Sequence, residues 1–136
     1  GLGFVVSFLS HFVLQPGLPL ELTTHDDLVK RALLAVQQSI DAPMTVAKLA
    51  ERLGVSRRQL ERHFMAALGL GPQEAGRKVR LAYARNLLQR SDRTVSQIAV
   101  DTGFADASHF IRAFHSEFQE TPEAWRVLTR TRGTNA

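Results

Sequence analysis

Three arginines stand within six residues of this chain, Arg57, Arg58 and Arg62, with Glu61 among them. Each guanidinium is a planar fork of donors that makes paired hydrogen bonds with a phosphate or with the O6 and N7 edge of a guanine. Grouped at the start of one helix, they are the residue type that close contact with a polyanion requires. A second, less charged group follows: Ala107, Ser108, His109, Ile111 and Arg112.

Other chemistries are poorly served. Asp106, Ser108 and His109 are acid, nucleophile and base by type, but three neighbours at the start of one helix cannot take up the geometry of a triad. They read instead as a helix cap, a phosphate contact and a surface histidine, so no catalytic residue is assigned and no enzyme activity expected. His63, His109 and His115 lack the i, i+4 pairing of a zinc site, and there is no cysteine to complete one or to serve as a nucleophile. No metal and no cofactor is expected.

The elements that must hold the two groups follow from caps, breaks and apolar spacing. Thr24 or Asp26 caps a helix to about Asp41, which Pro43 ends. Thr45 caps Val46–Leu53, Gly54 stops it, and Ser56 caps Arg57–Leu68 with Leu60, Phe64 and Leu68 inward at i, i+4, i+8. Pro72 opens a long helix to Arg90. Thr94 then caps Val95–Thr102, Gly103 closes it, and Asp106 caps Ala107–Phe118 with Phe110, Phe114 and Phe118 inward. Pro122 opens a last short helix containing Trp125. No window alternates with the period of a strand, so the fold class is all-α.

The chain carries an internal repeat. Val46–Ala50 and Gly54 answer Val95–Ala99 and Gly103 at an offset of 49, and Leu60, Arg62, Phe64, Leu68 and Pro72 answer Phe110, Arg112, Phe114, Phe118 and Pro122 at an offset of 50. Each copy is a short helix, a tight turn and a longer helix with an apolar inner face, which is the pattern of a helix-turn-helix. The inner face being fixed, the opposite face carries the contacts: Arg57, Arg58, Glu61 and Arg62 in one unit, Ala107, Ser108, His109 and Arg112 in the other. The 18 residues from Gln73 to Arg90 span about 27 Å as a helix. With the helix widths added, the separation approaches the roughly 34 Å of one DNA turn.

Charge agrees with such a partner. Lys and Arg number 17 against 13 acids, and residues 51–136 hold 14 of those bases. Between Gly76 and Arg93 the bases are Arg77, Lys78, Arg80, Arg85, Arg90 and Arg93 against Asp92 alone. The absence of cysteine fits a reducing cytosol. The apolar stretch Leu2–Leu14 is too short to span a bilayer and lacks the basic flank of a signal peptide. That stretch is also the feature that favours a rival reading, a helical protein-interaction module.

The runs LAERLGVSRRQLERHF (49–64), KVRLAYARNLLQRSDRTVSQIAVDTGF (78–104) and ASHFIRAFHSEFQETPEAWR (107–126) resemble the AraC-type transcriptional regulators. The resemblance implies two helix-turn-helix subdomains joined by a long connecting helix: 25–72, the connector 73–91, and 92–130, with a tail at 131–136. It implies base readout by Arg58, Glu61 and Arg62 in the first unit and by Ala107, Ser108 and Arg112 in the second. Phosphate contacts are expected of Thr45, Ser56, Thr94, Ser96, Arg77 and Lys78. The implied partners are a double-stranded DNA operator and, for an activator, RNA polymerase, in the bacterial cytoplasm at the nucleoid. A small-molecule effector would act only through a missing N-terminal domain. Within the family the chain looks most like the subgroup whose sensor domain resembles a class I glutamine amidotransferase, which makes residues 1–24 the tail and linker of that domain. One departure is Gln119-Glu120, where the family usually has a glycine, so the turn there is expected to differ.

Overall fold

The computed structural model describes residues 17–135; the apolar stretch Leu2–Leu14 and the start of the linker expected over 15–24 lie outside the described residues. Among those described there are seven α-helices and no strand. After a 3-10 turn at Leu20–Leu22 come α1 (Asp27–Gln37), α2 (Val46–Leu53), α3 (Arg57–Leu68), α4 (Pro72–Arg90), α5 (Val95–Asp101), α6 (Ala107–Phe118) and α7 (Pro122–Asn135).

The starts are fixed by side chains that accept the orphan N–H groups of a first turn. Asp26, not Thr24, caps α1 by accepting from the N–H of Val29 at 3.0 Å. Thr45 caps α2 and Asp106 caps α6. Ser56 with Gln59, and Thr94 with Gln97, form reciprocal capping boxes at α3 and α5.

Two ends differ from expectation. Helix α1 stops at Gln37 rather than about Asp41, because Ile40 leaves the helical path to be buried, with its carbonyl turned to the loop of the second unit. Helix α7 is not short: it runs to Asn135, through the segment 131–135 expected as a tail.

Helix α4 is the spine. One end packs against α1 and α3, while α5, α6 and α7 pack around the other. It is therefore buried on nearly every side over its middle (Val79, Leu81, Ala82, Tyr83, Ala84, Leu87 and Leu88), as expected of a helix enclosed by neighbours rather than lying on a surface. The first unit's core is mixed, with Val29, Leu33, Leu49, Leu60 and Phe64. The second is an aromatic ladder: ring centroids are 5.3 Å apart for Phe104–Phe110, 5.8 Å for Phe110–Phe114, 4.7 Å for Phe114–Phe118 and 6.4 Å for Phe118–Trp125. Each large side chain buried in this way contributes about 1.5–3 kcal/mol relative to exposure.

The far end of α4 is closed by α7. Arg126 donates to the carbonyls of Leu88 at 3.0 Å, Ser91 at 3.3 Å and Arg93. A cation on these carbonyls satisfies acceptors that a helix end leaves open and meets the negative end of its dipole.

Candidate nucleic-acid interface

With Leu60 and Phe64 buried, the outer face of α3 is committed to solvent, and Arg57, Arg58 and Arg62 all lie exposed on it. The Arg57 Nε donates to the Glu61 carboxylate at 2.8 Å, an i, i+4 pair in which both side chains are largely solvated. Such an exposed pair is worth about 0.3–0.5 kcal/mol, so it opens readily and leaves Arg57 free for a phosphate or base edge and Glu61 for a base amino group. Arg58 and Arg62 make no hydrogen bond and no ion pair among the described residues. The first turn also presents Gln59, which stands outside the expected set. Its side chain accepts from the N–H of Ser56 at 2.9 Å, and the S-x-x-Q spacing was the available signal.

On α6 the same construction gives a quieter face. Phe110 and Phe114 are buried; Ser108, His109, Ile111 and Arg112 are exposed and Ala107 is half-buried. Arg112 has no hydrogen bond or ion pair among the described residues. The His109 ring meets the ring of Phe104 edge-on at 5.4 Å, which steadies the imidazole at the helix start. The Asp106 carboxylate accepts from the backbone N–H of His109 at 2.7 Å, so it is engaged as a cap. Among the described residues no three His, Asp or Glu side chains are grouped to hold a metal, and no helix is long and apolar enough to cross a membrane.

The residues expected at phosphates divide into two groups. Thr45, Ser56 and Thr94 are exposed, each accepting one backbone N–H while keeping its own O–H to donate, and Ser96 and Arg77 are exposed as well. Lys78 is different. Its ammonium sits 2.7 Å from Glu117 and 3.9 Å from Glu21, with the side chain only 19% exposed. It ties α4 to α6 from within, which corrects the expectation that it faces phosphate.

Arg80 and Arg85 on the connector, and Arg93 just beyond it, are engaged within the fold as Lys78 is, although the cations here look alike in the sequence. Arg80 donates to the carbonyls of Thr102 and Gly103 and lies over the ring of Phe104 at 4.7 Å. Arg85 covers the rings of Phe118 at 4.5 Å and Trp125 at 5.4 Å. Arg93 donates to the Asp101 carboxylate, and that hydrogen bond raises the guanidinium's pKa above its ordinary value. These charges hold the protein together; the arginines left open among the described residues are Arg58 and Arg62 on α3, Arg112 on α6, and Arg77 and Arg90 on α4.

One half-exposed contact supports the recognition helix of the first unit. Asp26 caps α1 through one carboxylate oxygen and meets His63 Nδ1, on α3, through the other at 2.8 Å. The Val29 N–H and then the His63 contact hold its carboxyl below the ordinary value.

Comparison with known proteins places this geometry. The profile of a helix-turn-helix domain family matches residues 49–127. The chain is 39% identical over 99 residues to the HTH-type transcriptional regulator GlxA of Rhizobium meliloti, covering 70% of this chain and 31% of that protein. It is 33% identical to the HTH-type transcriptional regulator ArgR of Pseudomonas aeruginosa, over 79% of this chain and 32% of that one. It therefore spans about a third of the length of these relatives. Among solved structures, an AraC-type DNA-binding domain protein from Chromobacterium violaceum superposes with a TM-score of 0.73 at 33% identity, covering 75% of this chain and 91% of that one. The DNA-binding domain of AdpA, solved in complex with a target DNA, superposes with a TM-score of 0.73 at 27% identity, covering 82% and 99%.

Proposed function

The chain belongs to the AraC-type family of helix-turn-helix transcriptional regulators, and from that premise we propose that it binds a specific sequence of double-stranded DNA, presenting α3 and α6 to successive major grooves. The observation that carries the reading is the placement of open arginines. Arg58, Arg62 and Arg112 stand on the two faces that the buried cores turn outward, while most connector cations are engaged inside. An arginine with no internal partner keeps all its donors for a guanine edge.

In this reading Arg58, Arg62 and Arg112 read bases, Glu61 accepts from a cytosine amino group once Arg57 is drawn away, and Ala107, Ser108 and His109 supply smaller contacts. Thr45, Ser56, Thr94, Ser96 and Arg77 hold the backbone and set the register. The site is the operator of a regulated gene in the cytoplasm. RNA polymerase is the second partner of an activator of this kind, and an effector acts through a domain N-terminal to residue 25.

A salt titration tests the core of the proposal. If about six to eight phosphates are neutralised, affinity for an operator selected from random DNA falls by roughly three orders of magnitude between about 50 and 200 mM salt. A flat response would favour the protein-interaction module instead.

A further inference from the structure

We infer that Arg80 is a positioning residue that sets the distance and angle between the two recognition helices by fastening the turn of the second unit to the connector. The inference rests on the two-groove reading for its consequence on DNA, though not for the contact itself.

The turn Thr102–Phe104 lies between α5 and α6, so whatever holds it aims α6. It is held from two sides. From α4, the Arg80 Nη1 donates to the carbonyls of Thr102 at 3.4 Å and Gly103 at 3.2 Å, and the guanidinium rests on the Phe104 ring. From the first unit, the loop after α1 presses directly on Gly103. A Cβ added there would stand 2.8 Å from the carbonyl oxygen of Ile40 and 2.7 Å from Cδ of Pro43, and Gly103 has φ +80°. Thr102 is fully buried with its hydroxyl returned to the Ile98 carbonyl at 2.7 Å, so the turn has no slack of its own.

Burial, together with the charge of nearby Arg77, pushes the Arg80 guanidinium below its ordinary pKa. A cation held in such a place has no outward task. Its two carbonyl acceptors and the Phe104 face exist only when α4 and the second unit keep this orientation. A lysine offers a point charge without the planar fork, and a methionine fills the volume without donating.

A rigid pair of recognition helices binds an operator of one spacing without first paying to orient the two units. The same rigidity makes it intolerant of altered spacing. One inserted base pair turns the second half-site by roughly 35°, and the wild type is expected to lose about 10-fold or more in affinity for it.

The chain has no cysteine, which makes a direct measurement clean. Cysteines placed at Met65 on α3 and Ser116 on α6, both exposed, carry spin labels whose distance distribution is read by pulsed electron resonance without DNA. The distribution is expected to be narrow in the parent, broad in Arg80→Met and intermediate in Arg80→Lys. With the operator, Arg80→Met should lose affinity for the native spacing, hold an isolated half-site as before, and suffer no more than about a threefold insertion penalty. An unchanged distribution in Arg80→Met overturns the inference, and so does lowered thermal stability with distribution and spacing preference both intact. If Arg80→Met fails to fold, Arg80→Lys decides by the same two readings. If the distribution broadens but the wild type is indifferent to spacing, the fastening stands and the two-groove reading falls.

Discussion

The two helix-turn-helix units share a plan and solve it with different chemistry. The first closes its core with Leu60 and Phe64, starts its recognition helix with a Ser56–Gln59 box, and turns a strongly cationic face outward. The second stacks Phe104, Phe110, Phe114, Phe118 and Trp125 into a ladder, caps α6 with Asp106, and shows a face with one arginine. The contrast assigns the labour. On the proposed reading the cationic face supplies base discrimination and phosphate affinity, whereas the small-residue face allows close approach and adds methyl and polar contacts. The second unit would then depend more on being placed well than on being charged, and the inferred role of Arg80 serves that placement.

The comparison can be broken most sharply in the cores. Phe114→Ala removes the middle of the ladder and Phe64→Ala the centre of the first core; each should cost about 3–5 kcal/mol, with Phe114 at the upper end because it supports two neighbouring rings. Urea unfolding checks this, and a smaller loss at Phe114 would mean that the ladder collapses around the gap. On DNA the order reverses. Arg62→Ala should weaken operator binding roughly 10- to 100-fold and leave non-specific affinity nearly unchanged. Arg112→Ala should relax preference at a single position of the second groove. Footprints that shrink evenly across the site in both variants would erase the division of labour.

Acid should distinguish the units next. Asp26 joins α1 to the recognition helix of the first unit, and its carboxyl is held below the ordinary value of 3.8 by the Val29 N–H and by His63. A depressed carboxyl contributes stability that is complete above its unfolded value and lost as pH falls through the folded one. Asp26→Asn keeps a capping oxygen and drops the charge, so its stability should fall less steeply than wild type below about pH 4. Urea midpoints at a series of pH values read the slope; equal slopes would show that the contact contributes no pH dependence. The smallest effect lies at the ends of the recognition helices. Gly69 closes α3 at φ 73°, and Gln119 closes α6 at φ 59°. Gln119→Gly relieves a left-handed side chain but loses the bond from its Nε2 to the Ser116 carbonyl. A net gain of about 0.5 kcal/mol is expected, against a cost of about 1 kcal/mol for Gly69→Ala. Thermal midpoints measure both.

That last pair also shows how far the sequence could be read. The glycine missing before Thr121 suggested a different turn, yet Gln119 takes the left-handed conformation that Gly69 takes, because its side chain bonds back onto the helix end. Caps, breaks and i, i+4, i+8 spacing are local, so all seven helices were legible, with errors only at the ends of α1 and α7, where tertiary contacts decide. The faces of α3 and α6 were legible too, since burying Leu60 and Phe110 leaves no choice about what points out. The connector was not. Arg77, Lys78 and Arg80 are alike on paper; only the folded chain brings Glu117 to Lys78 and the Thr102 and Gly103 carbonyls to Arg80. Partners 22 to 39 residues distant leave no periodic trace.

The Arg126 clamp on the end of α4 has a consequence in time. Leu88, whose carbonyl accepts from Arg126, precedes it by 38 residues. On a ribosome adding about 5–20 residues per second, that interval lasts roughly 2–8 s. During it the first unit can close around the near half of α4, while the far half waits with open carbonyls and an incomplete aromatic ladder. Vectorial synthesis therefore delivers the more charged unit first and leaves the aromatic one exposed to chaperones until its last helix arrives.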